Sequence, residues 1–256
     1  MSKQLFFFID ESGDPNFYAK RKRPLWTEPN FEPILMMGMV VVQNRRALQR
    51  KILAFQSQLL NDPLFNTIHS VNVPNWFFHA SQDHFEVRLK FIEFLRKEKD
   101  IKCYVAIGRK QPDIFHNKHN GKASEFYFDL LNKLLGQFEY VEGKTHMLFL
   151  SVRQSTTQER FVHALEKALK KQSKTMVDRH FKCRIVLSKD YPELSVVDYF
   201  LWVLNRYIIK GDKRYFAALE DKFEDIYDVY ENAGKGRIYN KLDGFDMSKA
   251  SSFAIK

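Results

Sequence analysis

The stretch Gln4-Leu5-Phe6-Phe7-Phe8-Ile9-Asp10-Glu11-Ser12-Gly13 is an apolar run that stops at two acids and a small-residue turn. A short continuous apolar run closed by turn residues reads as a strand buried on both faces. In an open α/β sheet, ligands bind beyond the carboxyl ends of the parallel strands, so Asp10 at such an end can point into a crevice. The same residues, Asp10 to Gly13, are also good turn formers for backbone reasons alone. Both readings stand at this point.

A second apolar run, Ile34 to Val42, follows a basic, proline-containing loop, and then comes a helical pattern with Leu48, Ile52, Phe55 and Leu59 on one face. Residues 61 to 78 read as irregular, with Pro63 and Pro74. The pattern predicts a helix over Gln82 to Lys97, burying Phe85, Leu89 and Ile92, and a strand over Ile101 to Gly108. From residue 123 helix and strand alternate: a helix with Tyr127, Leu131, Leu134 and Phe138, a strand from His146 to Val152, and a helix with Phe161, Leu165 and Leu169. A strand from Lys182 to Leu187 and a helix from Val196 to Ile208 complete the series. Such alternation after a strand-rich start predicts an α/β fold: a central mixed sheet of about five strands flanked by helices, the later strands parallel to the first. The tail is expected to add an aromatic helix near Phe216 to Tyr230, a helical C-terminal extension, and then an irregular end.

The 256 residues are 45% hydrophobic and 28% charged, which excludes disordered and collagen-like classes. With no Pro/Gly/Ser-rich linker, residues 1–256 are expected to form a single domain. The longest apolar runs fall short of the roughly 20 residues that span a bilayer, and the N-terminus lacks an export signal, so a cytoplasmic protein is expected. Cys103 and Cys183 lie in strand-like segments and read as reduced core residues. The 41 basic and 31 acidic residues leave a net charge of +10, a balance that steers polyanions such as nucleic acid toward a protein. Basic clusters occur at Lys20 to Arg23, at Arg45-Arg46 with Arg50-Lys51, and at Lys167 with Lys170, Lys171 and Lys174. Arg45, Arg46, Lys170 and Lys171 are the candidate phosphate contacts, although a solvated helix face needs no partner.

Asp198, in Leu194-Ser195-Val196-Val197-Asp198-Tyr199, falls within a helix that is apolar nearly all round, behind Asp190 as a plausible cap and Pro192 as a first-turn proline. A carboxylate there must be paired, hydrogen-bonded or metal-bound, and Ser195 and Arg206 are its nearest partners along the helix. If Asp10 and Asp198 converge, two like charges about 4 Å apart repel by about 4 kcal/mol at an effective dielectric near 20. A hard divalent cation, Mg²⁺ or Mn²⁺, offsets that repulsion and can hold a phosphate oxygen and activate water. His79, in Phe77-Phe78-His79-Ala80, can orient a water, ligate metal, move a proton, or serve as a hydrogen-bonded core histidine. His116 and His119 lack the partners of a zinc site and read as loop residues. No Gly-rich phosphate loop, nucleophile elbow or CxxC pair is present, which argues against Walker-type hydrolases, esterases and zinc modules.

Phe8-Ile9-Asp10-Glu11-Ser12-Gly13-Asp14, with Phe78-His79-Ala80 ahead of a helix and Leu194 to Tyr199 on a late helix, resembles the DUF3800 family over nearly the whole chain. The resemblance implies a ribonuclease H-like fold, with Asp10 and Asp198 as metal ligands and Glu11 and His79 as accessory residues. Two departures accompany it. Ser195 and Val197 stand where the family commonly has Gln and Ala, and the expected strand beside the first ends Phe149-Leu150-Ser151-Val152-Arg153, without the acid that such nucleases usually supply there.

Two functions therefore compete. One is a metal-dependent nuclease hydrolysing DNA or RNA, with Asp10 and Asp198 holding Mg²⁺ or Mn²⁺ and Glu11 or His79 assisting proton transfer. The other is a non-catalytic nucleic-acid-binding or protein-interaction module on the same fold, with a protein partner or a homodimer. Ser151 in place of an acid favours the second, and the Asp10-Glu11 pair favours the first. Some relatives by this resemblance are thought to sit among bacterial defence or mobile-element genes.

Overall fold

The computed structural model describes residues 4–152, 157–171, 180–231 and 235–253, apart from the side chains of residues 170 and 171. The strands are β1 (Gln4–Ser12), β2 (Ile34–Val42), β3 (Ile101–Arg109), β4 (Thr145–Ser151), β5 (Phe181–Val186), β6 (Phe223–Asp228) and β7 (Arg237–Asn240). The helices are α1 (Arg45–Asn61), α2 (Phe85–Lys97), α3 (Pro112–His119), α4 (Ala123–Leu135), α5 (Gln158–Lys171), α6 (Glu193–Lys210) and α7 (Lys213–Ala217). Among the described residues no helix is long and apolar enough to cross a membrane.

The strands form one seven-stranded sheet in the order β5-β4-β1-β2-β3-β6-β7. β1, β2 and β3 make an antiparallel meander, while β4 pairs parallel to β1 and β5 parallel to β4. A central first strand with an antiparallel meander on one side and parallel strands on the other is the ribonuclease H-like arrangement. Side chains alternate across each strand, which sorts the core into two layers. Phe8, Met36, Val40, Val105 and Phe149 face α1, α2 and α6. Phe7, Ile9, Met37, Met39, Ala106 and Leu150 face α4 and α5. Both faces being covered explains why β2 is buried at every position.

The sheet is wider than the expected five strands, and the tail supplies the difference. The helix expected over Phe216 to Tyr230 is replaced by the short α7 and by β6, which pairs parallel to β3 and antiparallel to β7. An uncovered β3 would leave a row of unpaired backbone groups, and β6 satisfies them, overriding the aromatic spacing that reads as helical. The end of β6 is tied down at Asp228, which accepts from Arg109 Nε at 2.9 and 3.0 Å and from Arg109 Nη2 at 2.7 Å.

Smaller differences have local causes. α2 buries Val87, Phe91, Ile92 and Leu95, whereas Phe85 and Leu89 face solvent. Its sequence carries two overlapping apolar stripes, and the one that stacks Phe91 on Phe78 at 4.1 Å takes the core. His116 and His119 are helical, in α3, where Pro112 opens the first turn and Asn120 closes the last in a left-handed conformation. α4 stops at Leu135, so Phe138 lies beyond it. Asp190 belongs to a separate 3₁₀ turn and makes no cap to α6. Cys103 is buried and Cys183 half-buried, both as free thiols.

Candidate active site

Asp10 and Asp198 meet on one face of the sheet, at its carboxyl edge. Asp10 is the last even-numbered residue of β1 before Ser12 and shares the face of Phe8, against which α6 packs. Its cross-strand partner is Gly38. A Cβ at Gly38 would come within 2.9 Å of Leu201 Cγ and 3.0 Å of Val197 Cγ1, so the missing side chain lets α6 lie close to the sheet beside Asp10. Gly13, at φ +98° and with a Cβ position 2.8 Å from Ile34 O, then turns the chain away from the strand end.

Burial is the main cause pushing the Asp10 carboxyl well above the usual carboxylate range, and the charges of Glu11 and Asp198 push it further. The Glu11 N–H, which donates to Asp10 Oδ1 at 2.9 Å, and the Ser151 hydroxyl oppose that rise. Asp198 is raised by burial and by Asp83, against His79 and the Ala80 N–H. The Ala80 N–H donates to Asp198 Oδ2 at 2.6 Å, and His79 Nδ1 stands 3.5 Å from the same oxygen. The side chains of His79 and Asp198 keep 34% and 24% of their exposure, so the pair reaches solvent. Arg206, the other partner considered for Asp198, bonds Asp212 at 2.9 Å instead.

The loop that brings His79 and Ala80 to Asp198 is held by Asp83, a residue the sequence did not single out. Asp83 is 3% exposed and accepts from Trp76 Nε1 at 3.0 Å, from the His79 N–H at 2.9 Å and from Tyr199 Oη at 2.6 Å. Tyr199 follows Asp198 on α6, so one buried carboxylate fixes both the loop and the helix that meet at the site. Only the bracketing of His79 by Trp76 and Asp83 hinted at this.

Glu11 goes elsewhere. Alternation sends it to the opposite face of the sheet, where Tyr127 of α4 donates to Glu11 Oε2 at 3.3 Å. Asp14 is exposed and accepts from Asn16 N at 2.9 Å within its own turn. The strand beside β1 does end at Ser151, whose hydroxyl touches Asp10 and lies 2.8 Å from Ser188 Oγ. Among the described residues no group of three or more His, Cys, Asp or Glu side chains is arranged to hold a metal.

The candidate phosphate contacts divide. Arg45 is engaged inside the protein: Nε donates to the fully buried Glu193 at 2.7 Å, and the guanidinium lies 5.0 Å from the centre of Phe149 and 4.9 Å from that of Tyr191. Its sequence neighbour Arg46 is exposed. Lys170 and Lys171 end α5, and their side chains lie outside the described residues.

No protein-family model and no curated protein sequence matches the chain. Among solved structures, the chain is similar to one in the PCNA:RNase HII complex from Archaeoglobus fulgidus, at 12% identity and a TM-score of 0.46 over 86% of this chain and 81% of that one. It is also similar to ribonuclease H2 from Pyrococcus horikoshii OT3, at 11% identity and a TM-score of 0.48 over the same shares of the two chains.

Proposed function

We propose that this chain is a metal-dependent nuclease of DNA or RNA whose ion is held by Asp10 and Asp198, as the resemblance to the DUF3800 family implies. The observation that carries the proposal is the meeting of these two carboxylates, from β1 and α6, at a site where burial raises the affinity of both for positive charge and the charge of Asp198 adds to it at Asp10. The donor set suits Mg²⁺ or Mn²⁺: hard oxygens from two carboxylates, without a closed protein cage, are how Mg²⁺ is commonly bound alongside waters and substrate phosphates. When bound, the ion supplies Lewis-acid polarisation of the phosphodiester and a more acidic water.

The protein's own part is positioning. The Ala80 N–H and Asp83 hold Asp198 and the His79 loop, and the Ser151 hydroxyl and Glu11 N–H hold Asp10. With its Nδ1 turned toward Asp198 Oδ2 and Ser81 Oγ, His79 has Nε2 left to take or give a proton at a water or leaving oxygen. Glu11, which accepts from Tyr127 on the other face, acts on Asp10 through its charge.

Ser151 in place of an acid supports a second reading, a nucleic-acid-binding or protein-interaction module that performs no hydrolysis. Mn²⁺ titration followed by electron paramagnetic resonance separates the two. The nuclease reading expects saturable Mn²⁺ binding that Asp10→Asn and Asp198→Asn each abolish. Absence of specific Mn²⁺ binding in the folded wild-type protein, with nucleic-acid affinity unchanged by either substitution, favours the module.

A further inference from the structure

α6 has one opening to solvent along its length. From Glu193 to Ile208 only Asp198, Trp202, Asn205 and Arg206 are not buried, so a single accessible stripe runs along the helix from the proposed nuclease centre. At 1.5 Å per residue, Trp202 lies about 6 Å and Arg206 about 12 Å beyond Asp198 along the axis. A polymer cleaved at the centre extends past the cut, and this stripe leads away from it.

The stripe is built of cations laid against rings. Arg206 lies 5.4 Å from the centre of Trp202 and 5.5 Å from that of Tyr215, and Arg88 of α2 lies 5.1 Å from Trp202. Such contacts hold a guanidinium in place without neutralising it. Arg206 and Arg214 share one carboxylate, Asp212, at 2.9 Å each. Arg88 forms no ion pair among the described residues. Its Nη1 donates to the carbonyls of Ala80, at 3.0 Å, and of Asp83, which ties it to the loop whose Ala80 N–H holds Asp198. Its Nε and Nη2 have no acceptor among the described residues and are not sealed from solvent.

Arg88 also lines an open groove of about 430 Å³ at the start of α2, together with His69, Gln82, His84 and Phe85. Phe85 is 52% exposed, with His84 against it at 4.6 Å between ring centres. The carboxylate in the groove, Asp83, is engaged by its three donors, and Glu86 stands 3.4 Å from His84. An open aromatic ring beside an unpaired arginine is the combination that holds single strands, the ring stacking an unpaired base and the cation meeting a phosphate. A duplex keeps its base faces stacked inside and has none to offer Phe85.

Resting on the reading of Asp10 and Asp198 as a nuclease centre, we infer that the substrate is single-stranded where it passes this surface. One base stacks on Phe85, the phosphates meet Arg88 and Arg206, and Trp202 is the ring on which both guanidinium groups lie.

Fluorescence anisotropy of the full chain in EDTA tests this without requiring cleavage, with labelled oligo(dT) and oligo(U) of about 15 nucleotides and a duplex of the same length. At least one single strand is expected to bind saturably and at least about tenfold more tightly than the duplex, and the tighter of the two identifies DNA or RNA. Phe85→Ala, at an exposed position, weakens that strand by about tenfold and leaves the duplex unchanged, while Phe85→Tyr keeps the affinity. Arg206→Ala and Arg88→Gln each weaken it by about tenfold and flatten the slope of log K against log salt by about 0.7. Because Arg88 also braces the Ala80 loop, Arg206→Ala, outside that loop, tests the phosphate path independently. These losses without cleavage in any metal leave the strand path standing and remove only the hydrolysis. A duplex bound as tightly as both single strands, no saturable binding of either strand, or single-strand affinity unchanged in Phe85→Ala or in Arg206→Ala overturns the inference.

Discussion

Lys110 follows β3 and is 2% exposed, with its ammonium 4.3 Å from the centre of the Phe31 ring. Burial pushes its pKa from 10.5 down to about 8, against the pull of Asp14 and Glu32. Below about pH 8 the lysine is charged in the folded and the unfolded chain alike, and the fold bears the full desolvation cost. Between about pH 8 and 10.5 the unfolded chain binds more protons, so this group's contribution to stability rises with pH. Lys110→Met therefore raises the midpoint of urea unfolding at pH 7, and the gain shrinks by pH 10. A variant no more stable than wild type at pH 7 contradicts this account of Lys110. Its neighbour in sequence, Arg109, is instead paired, with Asp228, Glu231 and two tail carbonyls around its guanidinium.

At the scale of elements, the approach of α6 to the sheet is what turns two separate aspartates into a site, and Gly38 governs that approach. Gly38→Val forces Leu201 and Val197 outward and is expected to cost about 1–3 kcal/mol, as overpacking does in a close-packed core. It also weakens Mn²⁺ binding while leaving Asp10 and Asp198 in place. Chemical denaturation and Mn²⁺ titration of the same preparation check both effects, and a change in neither contradicts the role given to Gly38. The elements were largely legible from periodicity, because β1, β2, β4 and α6 carry long uninterrupted patterns. The phase of α2 was not, since Phe85 and Leu89 form as good a stripe as Val87 and Phe91 until Phe78 and Tyr199 are there to stack against. β6 was hidden for a related reason: its strand character depends on the free edge of β3, which no local window contains. Glu11, expected as a companion of Asp10, turns its side chain to the other face, as alternation along a strand dictates, while its charge still acts on Asp10. Asp83 escaped because its three hydrogen-bond donors are spread from Trp76 to Tyr199.

At the scale of the whole molecule, a net charge of +10 predicts nucleic-acid affinity that falls with salt, but not every basic residue contributes to it. Arg45 neutralises Glu193, which is fully buried and has one carboxylate oxygen without a partner. Arg45→Ala thus strands a buried charge and is expected to cost about 3–5 kcal/mol of stability. Arg46→Ala, one residue on and exposed, is expected to change stability by no more than about 0.5 kcal/mol while weakening nucleic-acid binding at low salt. Thermal melts and salt-dependent fluorescence anisotropy separate the two variants. Similar stability for both contradicts the inward role of Arg45.

The central claim is that Asp10 and Asp198 together form a metal-dependent nuclease centre, and the most direct test is cleavage of labelled single- and double-stranded DNA and RNA. Wild type, Asp10→Asn and Asp198→Asn are compared at matched purity with Mg²⁺, with Mn²⁺ and with EDTA. The account predicts cleavage of at least one substrate that EDTA abolishes and that each substitution lowers by roughly a hundredfold or more. Cleavage that survives EDTA or either substitution, or no cleavage of any substrate by folded wild-type protein in either metal, contradicts it.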